Sequence, residues 1–293
     1  MSSPPSPPTT AAPKPQPSFR PPLWLLLLVL AFVLLPFLFW RGTWFGRRLS
    51  QEETGKYLAD TEHPRKTQHA LVQIAERIVR GDPAVKRWYS QVIKLAGHES
   101  AEVRSTVAWV MGQDNQAEEF HQALLGMLED LDPLVRRNAA LSLVRFGDAG
   151  GKDILRRMLQ PYTILSPRAG TLSVRLQEDD AVNPGTLLGR VGEGAEEEVE
   201  LRSPLPGRVQ RWLEPEGTAV EAGVPLVRLS PGEDQVWEAL RALYLVGEAE
   251  DLPEVERFAR GVPGMPDRVR RQAILTAEAI RRRATEAADA ETE

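Results

Sequence analysis

The sequence predicts a multidomain chain: an α-solenoid of paired helices with an inserted all-β module, behind one transmembrane helix. Three observations carry that prediction. Residues Leu23 to Trp40 form an 18-residue run without a charge. Helix starts spelled alike recur at an offset of 32 residues, as Ser100-Ala101-Glu102-Val103-Arg104 and Asp132-Pro133-Leu134-Val135-Arg136. A turn-strand unit is duplicated as Ser166-Pro167-Arg168-Ala169-Gly170-Thr171-Leu172 and Ser203-Pro204-Leu205-Pro206-Gly207-Arg208-Val209. The expected divisions are a tail (1–22), a membrane helix (23–40), helical repeats (50–160), a β domain (161–231), further repeats (232–284) and a polar tail (285–293).

The first 22 residues are dominated by Pro, Ser and Thr, with Pro4, Pro5, Pro7, Pro8, Pro13, Pro15 and Pro17. Such a segment buries too little apolar surface to offset its ordering entropy, and a disordered tail is expected. The apolar run that follows would span roughly 27 Å as a helix, close to the hydrocarbon thickness of a bilayer. Trp24 and Trp40 stand at its ends, where interfacial aromatics belong, and Arg41 closes it. Bulky Phe37, Phe39 and Trp40 argue against a signal-peptide cleavage site, which needs small residues. The reading is a single-pass membrane protein, of a bacterial inner membrane. Lys14 and Arg20 on one flank against Arg41, Arg47, Arg48 and Lys56 on the other leave the side of residues 41–293 open.

From Gln51 to Gln160 apolar residues recur at helical spacing, as in Ala70, Leu71, Ile74, Ala75 and Ile78. Turn signals separate the helices, including Gly81-Asp82-Pro83, Gly112-Gln113-Asp114-Asn115 and Asp130-Leu131-Asp132-Pro133. After the two helix starts at Ser100 and Asp132 come small residues, Val107-Ala108 and Ala139-Ala140, and a third copy reads Pro266-Asp267-Arg268-Val269-Arg270 with Ala273-Ile274. Self-similarity at about 30 residues, with one helix pair per unit, is the mark of an α-solenoid. Asp132 is placed to cap free amides and Pro133 to take the first helical position, while Ala139 and Ala140 permit close helix approach. Two readings stand for Arg104, Arg136 and Arg270: structural bonds to acidic residues of the preceding unit, or a row gripping a ligand. Trp88, Tyr89 and Trp109 read as core.

Between the two helical stretches the period becomes two, as in Leu172, Val174 and Leu176. Second turns, Asn183-Pro184-Gly185 and Glu221-Ala222-Gly223, complete each half. Helical spacing resumes at Val236-Trp237-Glu238-Ala239-Leu240, so the strands read as an insertion between repeats, which requires the module's ends to lie together. Trp212, on a strand, stands either in the module or as an exposed anchor.

The helical spelling resembles the HEAT repeat in its short bacterial form, and the duplicated half-unit resembles the biotinyl/lipoyl-carrier domain, or barrel-sandwich hybrid. That second resemblance implies a cofactor-bearing lysine on the hairpin between the halves. Here the hairpin reads Gly192-Glu193-Gly194-Ala195-Glu196-Glu197-Glu198, Glu196 falls near the lysine position, and no lysine follows Lys152. Asp179 departs from the family's usual glycine. Cofactor-free hybrid domains of this kind also occur in periplasmic adaptor (membrane fusion) proteins, where a long helical hairpin separates the halves.

Composition narrows the function further. A net charge of -5 offers no basic field for nucleic acid. The absence of cysteine excludes disulfides, thiolate metal sites and a cysteine nucleophile. His63, His69, His98 and His121 lack metalloprotease spacing and read as surface or capping residues. The acidic hairpin lacks calcium-loop spacing and reads as a solvated turn. No phosphate loop or nucleophile elbow is present. The expectation is a non-catalytic membrane-anchored scaffold without cofactor or metal, whose partners are the membrane and other proteins. The alternative is an adaptor-like accessory subunit of an efflux or secretion complex.

Overall fold

The computed structural model describes residues 22–42, 47–192 and 198–290. The chain forms two units, Met1–Arg48 and Leu49–Glu293. The first holds helix α1 (Leu23–Gly42). Its side chains from Leu28 to Leu30 and from Phe32 to Leu35 are exposed, because a helix that is apolar on every side has no face to turn inward. Among the described residues no helix is long and apolar enough to cross a membrane, so the transmembrane helix expected at 23–40 is not shown. A run of 18 residues is near the shortest that spans a bilayer, and the side chains of Leu26, Leu27 and residues 36–40 lie outside the described set.

The second unit begins with α2 (Gln51–Leu58) and α3 (Pro64–Val79). A 3-10 segment (Pro83–Trp88) leads into α4 (Tyr89–Lys94), then α5 (Ala101–Met111), α6 (Glu118–Met127), α7 (Pro133–Arg145) and α8 (Lys152–Met158). The Ser50 hydroxyl and the Glu53 carboxylate cap α2 reciprocally. The Asp132 carboxylate accepts from the Leu134 amide at 2.8 Å with Pro133 at the first position of α7. The equivalent start at Ser100 differs: its side chain makes no cap, and His98 Nδ1 accepts from the Ser100 amide at 2.9 Å instead.

Helices α3, α5 and α7 lie side by side in one layer. Along α7, residues at three- and four-residue spacing fasten it to α5. Asn138 Nδ2 bonds Ser105 Oγ at 2.7 Å, the Ser142 hydroxyl donates to the Ala108 carbonyl at 2.8 Å, and Arg145 donates to the Gly112 carbonyl at 3.1 Å. The approach depends on small residues: a Cβ at Gly112 would lie 2.4 Å from Ser142 Oγ, and one at Gly151 would lie 2.6 Å from Ala140 Cβ.

Eight strands follow: β1 (Tyr162–Leu165), β2 (Gly170–Val174), β3 (Ala181–Val182), β4 (Leu187–Gly192), β5 (Val199–Arg202), β6 (Gly207–Trp212), β7 (Ala219–Val220) and β8 (Pro225–Pro231). They form two antiparallel four-stranded sheets, ordered β1-β8-β6-β3 and β5-β4-β2-β7. Alternate residues from both sheets, among them Leu172, Leu188, Val209 and Val227, share one core. The duplicated halves interlock. The Ser166 carbonyl accepts from Gly223 of the second half at 2.8 Å, and the Ser203 carbonyl accepts from Gly185 of the first half at 2.8 Å. Each serine hydroxyl also donates two residues ahead at 2.6 Å, Ser166 to Arg168 and Ser203 to Leu205.

Helices resume as α9 (Glu233–Val246), α10 (Leu252–Ala259) and α11 (Asp267–Ala290). Ala140, Leu155, Met158 and Leu159 pack in one core with Val236, Leu240, Phe258, Ala273 and Ile280, joining the helices on either side of the strands. Arg156 donates to the buried Asp251 carboxylate at 2.6 Å, and Lys152 pairs with Glu248. Pairing of β1 with β8, as at Tyr162↔Leu229, brings the ends of the strand segment together. Helix α11 continues to Ala290, past the expected end at 284, because its last residues are alanine-rich and favour helix.

Candidate interaction surface

The helix faces that escape burial define the surface. In α5, Val103, Val107, Val110 and Met111 turn inward. Trp109 sits on the opposite stripe with Glu102 and Gln113 and is 42% exposed, contrary to its expected place in the core. Trp88 and Tyr89 are buried as expected. Trp109 borders two cavities. One, about 340 Å³, lies against Glu76 and Val79 of α3. The other, about 280 Å³, is formed with Leu141 and Arg145 of α7 and Glu238, Arg241 and Leu245 of α9. Val79 is 71% exposed and Leu245 60% exposed, so the apolar stripe continues across the layer. Burial pushes the Glu238 carboxyl above its ordinary range, and Asp234 pushes the same way while Arg241 opposes it. Arg241 lies over the Trp237 ring at 4.7 Å. The surface thus combines an exposed indole, aliphatic neighbours and both signs of charge.

The arginines singled out by the repeat are engaged inside the chain. Arg104 makes two bonds to the Asp130 carboxylate, which follows it in sequence rather than precedes it. Its Nη1 also donates to the His98 and Glu99 carbonyls at 2.8 and 2.9 Å. Arg136 donates in the same pattern to the Asp130 and Leu131 carbonyls. Asp130 therefore joins these two, through its carboxylate and its carbonyl. Arg270 stands apart, donating to the Ala259 carbonyl at 3.3 Å. Trp212 donates its Nε1 to the Leu176 carbonyl at 2.9 Å and packs against the β core.

Glu196 and the hairpin residues 193–197 lie outside the described residues. Strands β4 and β5 pair up to Val191↔Val199, so residues 192–198 are all that joins the halves. His63 bonds Asp60 and His121 contacts Asp148 at 2.6 Å, as expected of surface residues. His98 and His69 are both buried, His98 accepting from the Ser100 amide ahead of α5 and His69 bonded to Gln73 inside the first core.

Sequence reasoning missed the Trp109 surface because an aromatic residue in a helix is ordinarily core. The signal was present in spacing, since Glu102 and Gln113 fall seven residues before and four after it on one polar face.

A family model described as HEAT repeats matches residues 89–163, which run from α4 into β1. No curated protein matches the chain. Among solved structures, the chain is similar to a single-chain, multi-domain long-chain acyl-CoA carboxylase. The identity is 22%, over 34% of this chain and 11% of that one, with a TM-score of 0.23. The chain thus spans about a tenth of that protein's length, and a likeness of this extent says nothing of its activity. The helices within residues 89–163 are similar to HEAT repeats and stand in one unit with two antiparallel sheets.

Proposed function

We propose that the chain is a non-catalytic, membrane-tethered scaffold that binds another protein across the exposed face of its helical repeats. Trp109, set between two cavities with Val79, Leu141 and Leu245 beside it, is the observation that carries this reading. HEAT repeats generally present such faces to protein partners, which supports it further. The occupant is a segment of a partner protein that places an apolar side chain against Trp109 and matches Arg145, Arg241 and Glu238 with polar groups. Aromatic side chains near the centre of a contact usually carry most of its energy.

Tethering rests on the uncharged run from Leu23 to Trp40, flanked by tryptophans and then Arg41. We assign residues 161–231 to an inserted, cofactor-free module of the biotinyl/lipoyl type. The exchange of turn contacts between its halves and the lack of lysine after Lys152 favour that assignment. The adaptor alternative finds no comparable support, because the joint between β4 and β5 has no room for a helical hairpin.

The test is quantitative co-purification of the full chain and its Trp109→Ala variant from native membranes. The reading expects a discrete set of proteins that the variant loses while its unfolding temperature is unchanged. Identical sets would overturn it. Deleting residues 23–40 should move the chain to the soluble fraction; an unchanged distribution would remove the tether.

A further inference from the structure

Arg137, next to Arg136 on α7, is the least satisfied charge among the described residues. It is 7% exposed, its Nη1 has no hydrogen-bond partner, and no carboxylate pairs with it. A buried guanidinium without a counter-charge is costly, because the water it has given up is not replaced. Titration does not remove the problem. Burial, helped by the charge of Arg136, pushes its pKa down to about 10, which leaves it protonated at neutral pH.

The surroundings point to what compensates it. Arg137 lines a cavity of about 170 Å³ where α7 and α8 meet the start of β1. Arg136 and Arg157 line the same cavity, and among the described residues no Asp or Glu does. The other wall offers Gln160, Tyr162 and Thr163. Arg136 and Arg157 also border a neighbouring cavity with Glu129, Asp130 and Asp153, of which Asp130 is held by Arg104 and Asp153 pairs with Arg156. Among the described residues Arg157 has no ion-pair partner, and it is exposed, so it can swing over an arriving group.

We propose that this cavity is an oxyanion site that takes a phosphate or phosphomonoester group. Arg137 forms the floor, Arg157 closes over the ligand, and polar groups of β1 contact it from the opposite side. Charge-assisted bonds from planar guanidinium groups suit phosphate geometry. A ligand there touches both the repeats and the first strand, and so holds the β-module to the solenoid.

Calorimetric titration of the full chain with inorganic phosphate, at ionic strength held constant with chloride, tests the site. Saturable binding and a raised unfolding temperature are expected for the wild type. Arg157→Gln, an exposed change that should leave the ligand-free protein unaltered, weakens affinity about tenfold, the loss of one charge-assisted contact. Arg137→Met abolishes binding, and without phosphate it unfolds at or above the wild-type temperature because a buried unpaired charge is gone. Dihexanoyl phosphatidic acid separates the sources: tighter binding than phosphate assigns a lipid headgroup, equal or weaker binding a free phosphate. The proposal is overturned if phosphate acts no differently from chloride, or if Arg157→Gln binds it as the wild type does.

Discussion

Arg104 clasps the Asp130 carboxylate with two hydrogen bonds, at 2.7 and 2.8 Å, and with the same side chain ties down the two carbonyls that precede α5. The pair is largely shielded, with 15% and 10% of the two side chains exposed. Thirty-two residues on, Arg136 binds its own preceding carbonyls in the same way but has no carboxylate partner among the described residues. Arg104→Met should therefore cost about 3 kcal/mol, since it leaves Asp130 without its counter-charge. Arg104→Lys should recover part of this, because an ammonium cannot make both bonds at once. Urea unfolding of the three proteins checks the order.

The same pair predicts an acid limb. The hydrogen bonds from Arg104 hold the Asp130 carboxyl below its ordinary range. Its stabilisation is present above the unfolded value, near 4, and is lost as the pH falls through the folded value. The wild type should lose stability on acidification below about pH 4, and Arg104→Met should lose less over the same interval.

His121 predicts the opposite sign. Its bond to Asp148 at 2.6 Å raises its pKa, with Glu118 adding to the effect. The contribution is full below the unfolded histidine value, about 6.5, and is lost as pH rises through the folded one. Urea midpoints measured across the neutral range should fall with rising pH in the wild type and flatten in His121→Gln.

Asp179 is the one non-glycine described residue with a left-handed backbone, φ 70°, and Gly217 takes the corresponding turn of the other half at φ 80°. The Asp179 amide donates to Val209 as the Gly217 amide donates to Leu172, both at 2.8 Å. Asp179→Gly removes a side chain from a conformation that disfavours one and should stabilise the chain by about 0.5–1 kcal/mol. A drop in unfolding temperature would mean that the Asp179 side chain supports the turn.

Gly112 provides a contrast with the Trp109 surface. Gly112→Ala drives a methyl into Ser142, 2.4 Å from its Oγ and 2.7 Å from its Cβ, and should destabilise by about 2 kcal/mol. Trp109→Ala, made three residues away on the exposed face, should leave thermal stability within about 0.5 kcal/mol of wild type.

The sequence by itself determined what repeats and spacing can express. An offset of 32 residues marks equivalent helices α5 and α7, and the twin serines Ser166 and Ser203 mark equivalent strand turns. The return of helical spacing at Val236 marks the place where the second core resumes. These are properties of local periodicity, and local geometry carries them into the fold. What the tertiary structure decided is where a given side chain ends up. Trp109 fits a core helix by composition, yet the neighbouring layer covers only the stripe through Val103, Val107 and Val110. Arg136 and Arg137 are chemically identical neighbours, yet a helix turns successive residues by about 100°. One therefore reaches the carbonyls of its own turn, while the other is carried inward against the first β-strand, where no acid awaits it.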